Sequence, residues 1–379
     1  MSLYKSASGR EVSAHSYSGG SEFKFCRRKY KLHRILGWQE KAKKAALEIG
    51  KCLESAIQYF HQNECQPDGC VDEWKRLWLK FEGIEMDYSD QEGSWAEVYT
   101  LGTEWAKLYE VLLPSLPIKN PKFQLEYRKE VFLGSGLEFL AYIDLLSTAD
   151  DGTRTVIDIK SAKMGLDLSP NMLCLDPQLR RYAWVTGITN VGFLWFVKTK
   201  PNSFKKGDSV TLLEKVSNFL PGEIFSVVKY EETETEKRVL LGKPDAVQLM
   251  ESKLAEISGK GATAAKEAII ESFLASERIL WTTRSAVTKA KLQFIKAVIP
   301  EGDLTEIGDA IGHEMVSIKD SYEKNFWPLD GGVRFPANQC VWCSYRGICT
   351  SNTGLRDELL VQIELAEPEK DWLSDLEEN

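Results

Sequence analysis

Two aspartates and a lysine in this chain have the residue types and spacing to hold a hard cation. Asp144 ends one apolar strand pattern, and Asp158-Ile159-Lys160 ends the next, fourteen residues later. Strands joined by a tight turn pair side by side, so their distal ends can bring both carboxylates together. Residues i and i+2 of a strand share a face, which points Asp158 and Lys160 the same way and Ile159 into the core. Two carboxylates converging beside an ammonium suit Mg²⁺ or Mn²⁺. Such an ion binds a phosphate oxygen and lowers the pKa of bound water, and the ammonium stabilises developing negative charge. A bare D-x-K is more often a surface ion pair. The preceding apolar run and the second aspartate at hairpin distance favour the site.

The elements that must position these groups are legible as changes of period. Residues 14–115 read mainly as helix, with apolar positions three and four apart from Ala45 to Phe60. Pro114 and Pro117 break that pattern. Phe123–Tyr127, Glu130–Leu133, Phe139–Leu146 and Thr153–Lys160 then read as strands, the last two joined across Ala149-Asp150-Asp151-Gly152. Gln178–Val185 reads as helix and Val191–Val197 as a further apolar strand. Strands, helix and strand in this order predict an α/β chain with a mixed sheet. Residues 201–334 are expected to form a helical insertion or arm, with a break at Ser258-Gly259-Lys260-Gly261. The remaining divisions are a basic helical segment (1–60), a helical region (61–119), a core (120–200), a cysteine segment (335–354) and an acidic tail (355–379).

Composition narrows the function classes. The chain has 379 residues, 43% of them hydrophobic and 27% charged, as in packed globular proteins. No stretch approaches the roughly 20 apolar residues of a membrane helix, and the N-terminus lacks a secretory apolar run, so an intracellular, cytoplasmic protein is expected, a virus-encoded one included. A net charge of -8 excludes a protein that coats nucleic acid simply by being basic. The charge is uneven, however. Between Phe23 and Lys44 nine basic residues, among them Lys24, Arg27, Arg28 and Lys29, face one acid, Glu40, with Phe25, Tyr30 and Trp38 interleaved. That mixture suits backbone tracking and base stacking on a single strand, or else a solvated amphipathic helix.

A second group of ligating residues lies near the C-terminus. Cys340, Cys343 and Cys349 follow a C-x2-C-x5-C spacing after Pro336. Three thiolates can wrap one metal centre and leave a tetrahedral site one ligand short.

Taken together, Asp144, the hairpin, Asp158-Ile159-Lys160 and the trailing Gln178-Leu179-Arg180-Arg181-Tyr182 resemble the PD-(D/E)XK nuclease superfamily, and within it the RecB-like branch with its Q-x-x-x-Y motif. The resemblance implies a restriction-endonuclease-like core: a mixed central sheet flanked by helices. It implies Asp144, Asp158 and the Ile159 carbonyl as ligands of Mg²⁺ or Mn²⁺, Lys160 serving the nucleophile, and Gln178 and Tyr182 facing DNA or the catalytic lysine. Many members carry G-x-x-x-H on an upstream helix. The matching stretch here is Gly50-Lys51-Cys52-Leu53-Glu54, so Glu54 stands in the ligand position, and a carboxylate binds a hard cation as well as imidazole does. Ala141 replaces the glycine usual before the first aspartate.

The segment Phe23-Lys24-Phe25-Cys26-Arg27-Arg28-Lys29-Tyr30 resembles the element that supplies the first cysteine in iron–sulfur members of that branch, the AddB-type helicase–nucleases and CRISPR adaptation nucleases. The resemblance implies a [4Fe–4S] cluster on Cys26, Cys340, Cys343 and Cys349, a Cys₄ Zn²⁺ site being the alternative, clipping the chain together across more than 300 residues. The activity implied is exonucleolytic cleavage of single-stranded DNA or DNA ends, in repair or recombination, CRISPR spacer processing or phage DNA metabolism. No P-loop is present, so a helicase or recombination partner would be a separate chain. The alternative is a non-catalytic DNA-binding or assembly subunit that keeps the fold and the cluster.

Overall fold

The structure, a computed structural model, describes residues 2–6, 9, 11–88, 93–162, 170–199, 204–233, 237–258, 261–333 and 338–363. Pro336, Gly259-Lys260 and the acidic tail from residue 364 lie outside the described residues. The central sheet is built from β1 (Ala14–Ser16), β2 (Lys122–Glu130), β3 (Glu138–Thr148), β4 (Arg154–Ala162), β5 (Asn190–Val197) and β11 (Lys291–Val298). Its order is β11-β5-β4-β3-β1, with β2 along the other edge of β3. Pairs β4–β5 and β1–β3 are parallel and the rest antiparallel. The sheet is therefore mixed, as expected from the order of strands and helices.

Each face of the sheet buries one apolar layer. On one side Leu145, Ile157, Ile159, Leu194 and Phe196 pack under α2 (Ala45–Gln62), α3 (Gly69–Leu79) and α4 (Trp95–Leu112). The apolar stripe of α2 (Ile49, Leu53, Ala56, Ile57, Phe60) is buried, as its three-and-four spacing requires. On the other side Val156, Val191 and Phe193 pack against α5 (Pro177–Thr186) and α8 (Asp303–Glu323).

The helical layer is closed by one close approach. Trp74 and Trp78 stack at 5.6 Å, and Trp74 lies flat on α4 where Gly102 leaves room. A Cβ at Gly102 would fall 1.9 Å from the Trp74 ring, which is fully buried and cannot yield. Gly102→Ala is therefore expected to destabilise the protein by roughly 3 kcal/mol, overpacking a rigid aromatic layer. Urea denaturation checks it, and an unchanged midpoint would show that the layer can relax.

The insertion differs from the helical arm expected for residues 201–334. Strands β6 (Ser209–Leu212), β7 (Ile224–Glu232), β8 (Lys237–Gly242), β9 (Ile279–Thr283) and β10 (Val287–Thr288) form an antiparallel sheet of order β9-β8-β7-β6-β10. Two long helices, α6 (Pro244–Ala255) and α7 (Ala262–Ala275), lie between its strands, and α8 follows them within the same range. The reason is visible in the charged run near residue 231. Glu231 pairs with Lys229 and Arg238, and Glu232 with Lys237, so these charges decorate a solvated hairpin rather than a helix face. The last strand of the core, β11, then returns beyond the insertion to pair β5.

Candidate active site

A fork in the sheet creates the site. On one edge of β3, residues 138–140 pair β1 and residues 145–148 pair β4. The β3–β4 ladder runs to Leu145↔Ile157 and stops. One further step of that register would set Asp144 opposite Asp158. The strands part there, and the Asp144 carboxylate takes the place of a ladder carbonyl: its Oδ2 accepts the Ile159 N–H at 2.8 Å. The acidic residues thus sit where the sheet has left backbone groups to be satisfied.

Helix α5 closes the site from above. Asp176 caps its first turn by accepting the Gln178 and Leu179 amides, Pro177 begins it, and Gly187 ends it at φ 69°. Gln178 and Tyr182, four residues apart, consequently lie on one face. Gln178 Nε2 donates to Asp158 Oδ1 at 2.9 Å and to the Tyr182 hydroxyl at 2.7 Å. Lys160 Nζ lies 2.8 Å from Oδ2, the other oxygen of the fully buried Asp158.

Glu54 comes from α2. Its Oε2 accepts Gln124 Nε2 at 3.3 Å, and its charge acts on Asp144, Asp158 and Lys160. Gln124 was not among the residues expected from sequence. It lies in β2 at φ 49°, between Phe123 and Leu125 whose register on β3 is unbroken, and nothing in a polar residue within a strand pattern signals such a backbone.

The electrostatics of the three acids share one origin. Burial first, then the neighbouring carboxylates, push Glu54 up to about 7, Asp144 to about 7 and Asp158 to about 8. Burial works against the Lys160 ammonium, but the surrounding carboxylates outweigh it and raise its pKa, so it stays protonated. Three buried acids around one lysine cannot all ionise without a further cation. Hard oxygen donors held in this way fit a divalent ion. Among the described residues no trio of His, Cys, Asp or Glu side chains already stands at metal-holding separation; the acids hold instead to the partners named above.

Cys26 and the three C-terminal cysteines come from segments that dock on each other, but among the described residues no three of the four stand at metal-holding separation. Cys26 ends helix α1 (Tyr17–Phe25), and Cys340, Cys343 and Cys349 occupy the turns that follow residue 338. Burial and then the neighbouring thiols raise Cys340 and Cys349, with Cys26 and Cys343 acting on both. Gly331 lets the chain pass close: a Cβ there would lie 2.8 Å from Cys340 Sγ. The C-terminal segment docks on the N-terminal one through Leu360–Gln362 paired with Trp38–Glu40, and through the Tyr345 hydroxyl donating to Trp38 O.

The basic strip requires a correction. Lys24 pairs with Glu314 at 2.7 Å, and Arg27 with Asp330 through its backbone N–H, Nε and Nη2. Arg28 Nε donates to Trp327 O, and Lys29 lies over Phe25 and Tyr345. Lys24, Arg27 and Arg28 thus fasten the N-terminal segment to the rest of the fold rather than standing free for phosphates, whereas Lys29 has ring contacts and no acid partner among the described residues. Basic spacing on a helix says nothing of acids that arrive from three hundred residues away.

A buried network supports α5 from behind. Arg181 donates to both oxygens of Glu314 at 3.0 and 2.7 Å, and His15 Nε2 to the same carboxylate at 2.8 Å. Burial would raise Glu314, but its bonds from His15, Arg181 and Lys24 hold it well below the usual carboxylate range. Burial lowers His15 more than Glu314 raises it, so His15 donates as a neutral imidazole. In both cases the unfolded chain binds protons that the folded one refuses. Stability should fall as pH drops, through His15 below about 6.5 and through Glu314 below about 4.5. Glu314→Gln should lose roughly 3–5 kcal/mol at pH 7, stranding Arg181, and show a flatter acid limb below pH 4.5. Denaturation midpoints across pH measure both, and an E314Q limb as steep as the unmutated one would refute the assignment.

The model of the PD-(D/E)XK nuclease superfamily matches residues 14–350. The chain belongs to the PD-(D/E)XK nuclease superfamily. Members of that superfamily are generally nucleases and usually use Mg²⁺ or Mn²⁺. The matched span takes in the fork, α5 and the four cysteines Cys26, Cys340, Cys343 and Cys349. A solved structure, of SSO0001, is similar over 47% of this chain and 74% of its own, at 15% identity and a TM-score of 0.18. No curated protein matches the chain significantly, and among the described residues no helix is long and apolar enough to cross a membrane.

Proposed function

We propose that this superfamily member is a deoxyribonuclease of the RecB-like branch that hydrolyses phosphodiesters in single-stranded DNA or at DNA ends. The observation that carries the reading is the convergence of Asp144, Asp158, Lys160 and Gln178 at the fork. Glu54, Asp144, Asp158 and the Ile159 carbonyl are the groups that would hold Mg²⁺ or Mn²⁺. The bound ion would supply Lewis-acid polarisation of a phosphate oxygen and a more acidic water. The chain's own residues do the rest. Gln178 keeps Asp158 oriented, Tyr182 fixes Gln178, and the Lys160 ammonium orients the attacking water and stabilises charge growing on the phosphate. Burial of the carboxylates lowers the local dielectric, so each of these interactions is stronger than it would be in water.

The four cysteines are proposed to hold a [4Fe–4S] cluster, with Zn²⁺ as the alternative, in a structural role beside the nuclease core. The docking of the C-terminal segment on the N-terminal one supports the pairing of Cys26 with the later three. A separate helicase or recombination protein is the partner class such an enzyme would serve.

The test is direct. End-labelled single-stranded and duplex DNA are incubated with the protein and Mg²⁺ or Mn²⁺, with an RNA control. Metal-dependent digestion from single-stranded ends supports the reading. Binding without digestion in either metal supports a non-catalytic DNA-binding subunit instead.

A further inference from the structure

One tryptophan in the fold is out of place by ordinary burial. Trp342 is 80% exposed, whereas every other described tryptophan is buried or half-buried. An indole left in water forgoes the largest apolar burial a side chain offers, and that is sustained where a ligand covers it. Trp342 does not stand alone. It lines a groove of about 310 Å³ with Phe25, itself 44% exposed, and with Lys29, Lys44 and Glu40. Lys29 lies over the Phe25 ring at 5.6 Å. Glu40 is already neutralised by Lys44 at 2.8 Å, which leaves the groove net positive.

We propose that this groove is a stacking site for unpaired bases of single-stranded DNA, with Trp342 and Phe25 as the platform and Lys29 as the phosphate-facing cation. The proposal rests on the nuclease reading for the identity of its ligand. Two exposed aromatic faces beside a positive charge match the two features every nucleotide carries, a π-face and a phosphate, and unpaired bases alone present that face freely. A protein partner would bring apolar side chains for the rings and acids for Lys29, whereas a strand brings a π-face and a phosphate together. The groove therefore replaces the strip formed by Arg27 and Arg28 as the place where a strand meets the N-terminal segment.

The experiment compares base-bearing with base-free strands. In a Lys160→Ala background, with Mg²⁺ present, the dissociation constants of labelled oligo-dT, an abasic strand of equal length and oligo-U are measured by fluorescence anisotropy. The background protein should prefer oligo-dT over the abasic strand by about 10-fold. Trp342→Ala should erase that preference by weakening oligo-dT binding to the abasic level, and Trp342→Phe should restore most of it. The proposal is overturned if Trp342→Ala keeps the preference, or if it weakens both strands equally, which is the mark of a misplaced loop. A preference confined to oligo-U overturns the DNA assignment. The nuclease reading fails separately: if unmutated protein leaves DNA intact in Mg²⁺ and Mn²⁺ while the base preference holds, the platform stands and the hydrolytic role falls.

Discussion

Replacing Lys160 by alanine is expected to lower DNA cleavage about 10³-fold, the loss seen when one fixed stabiliser of transition-state charge is removed. The reason lies in how this lysine is held. Its ammonium stands 2.8 Å from Asp158 and feels Asp144 and Glu54 as well, which keeps it charged despite burial. It therefore meets a phosphate as a fixed cation that needs no rearrangement when the phosphorane-like charge develops. Lys160→Arg keeps the charge and changes the reach of the donor, so an intermediate rate is expected. Asp158→Asn should be at least as damaging, since it removes one proposed ligand while Gln178 can still donate to the remaining amide oxygen. Initial rates on labelled single strands, with circular dichroism to establish that each variant is folded, decide the matter. Cleavage by Lys160→Ala within a few-fold of the unmutated rate would remove this lysine from the mechanism.

Cys343→Ser is the second change with a large expected effect. Protein purified without oxygen should be brown, and the variant should lose colour and solubility together. The energetics show why a shared ligand matters at this place. The C-terminal segment meets the N-terminal one over a small apolar cluster of Leu32, Tyr345 and Leu360, with Leu36, Trp38, Ile348 and Leu359 packed around it. A cross-link from Cys26 to the later cysteines, across more than 300 residues, contributes about 5 kcal/mol through the unfolded chain alone, and metal–thiolate bonding adds more. Iron and sulfide analysis of unmutated protein is the companion measurement. A colourless, zinc-loaded and equally stable protein would replace the cluster by a Cys₄ zinc site, and a metal-free protein that keeps its solubility would remove the clip altogether.

The local elements of the core were legible because their signals are local. The stripe of α2, the continuous buried runs of β3 and β4, and the cap-to-glycine punctuation of α5 are all written within ten or twenty residues. Asp144, Asp158 and Lys160 could be singled out for the same reason: a hairpin of short loop brings its own strands together, and the period of two decides which side chains share a face.

Between β6 and β10 the insertion has long helices only in α6 and α7; its strands are set by pairings between segments far apart in sequence, β9 with β8 and β10 with β6, which no local period announces.

What the chain could not declare is everything that depends on residues far apart in sequence meeting in space. Whether Arg27 faces a phosphate or Asp330, whether Gln124 turns outward to reach Glu54, and whether Trp342 is covered are questions about the sign and shape of a neighbour that arrives from elsewhere. Sequence determined the donors, their chemistry and the strands that carry them. Tertiary structure alone decided the fork that parts those strands at the two aspartates, and which cations are consumed inside the fold, because both follow from how the sheet is shared between β1 and β4 and from where α8 and the C-terminal segment come to rest.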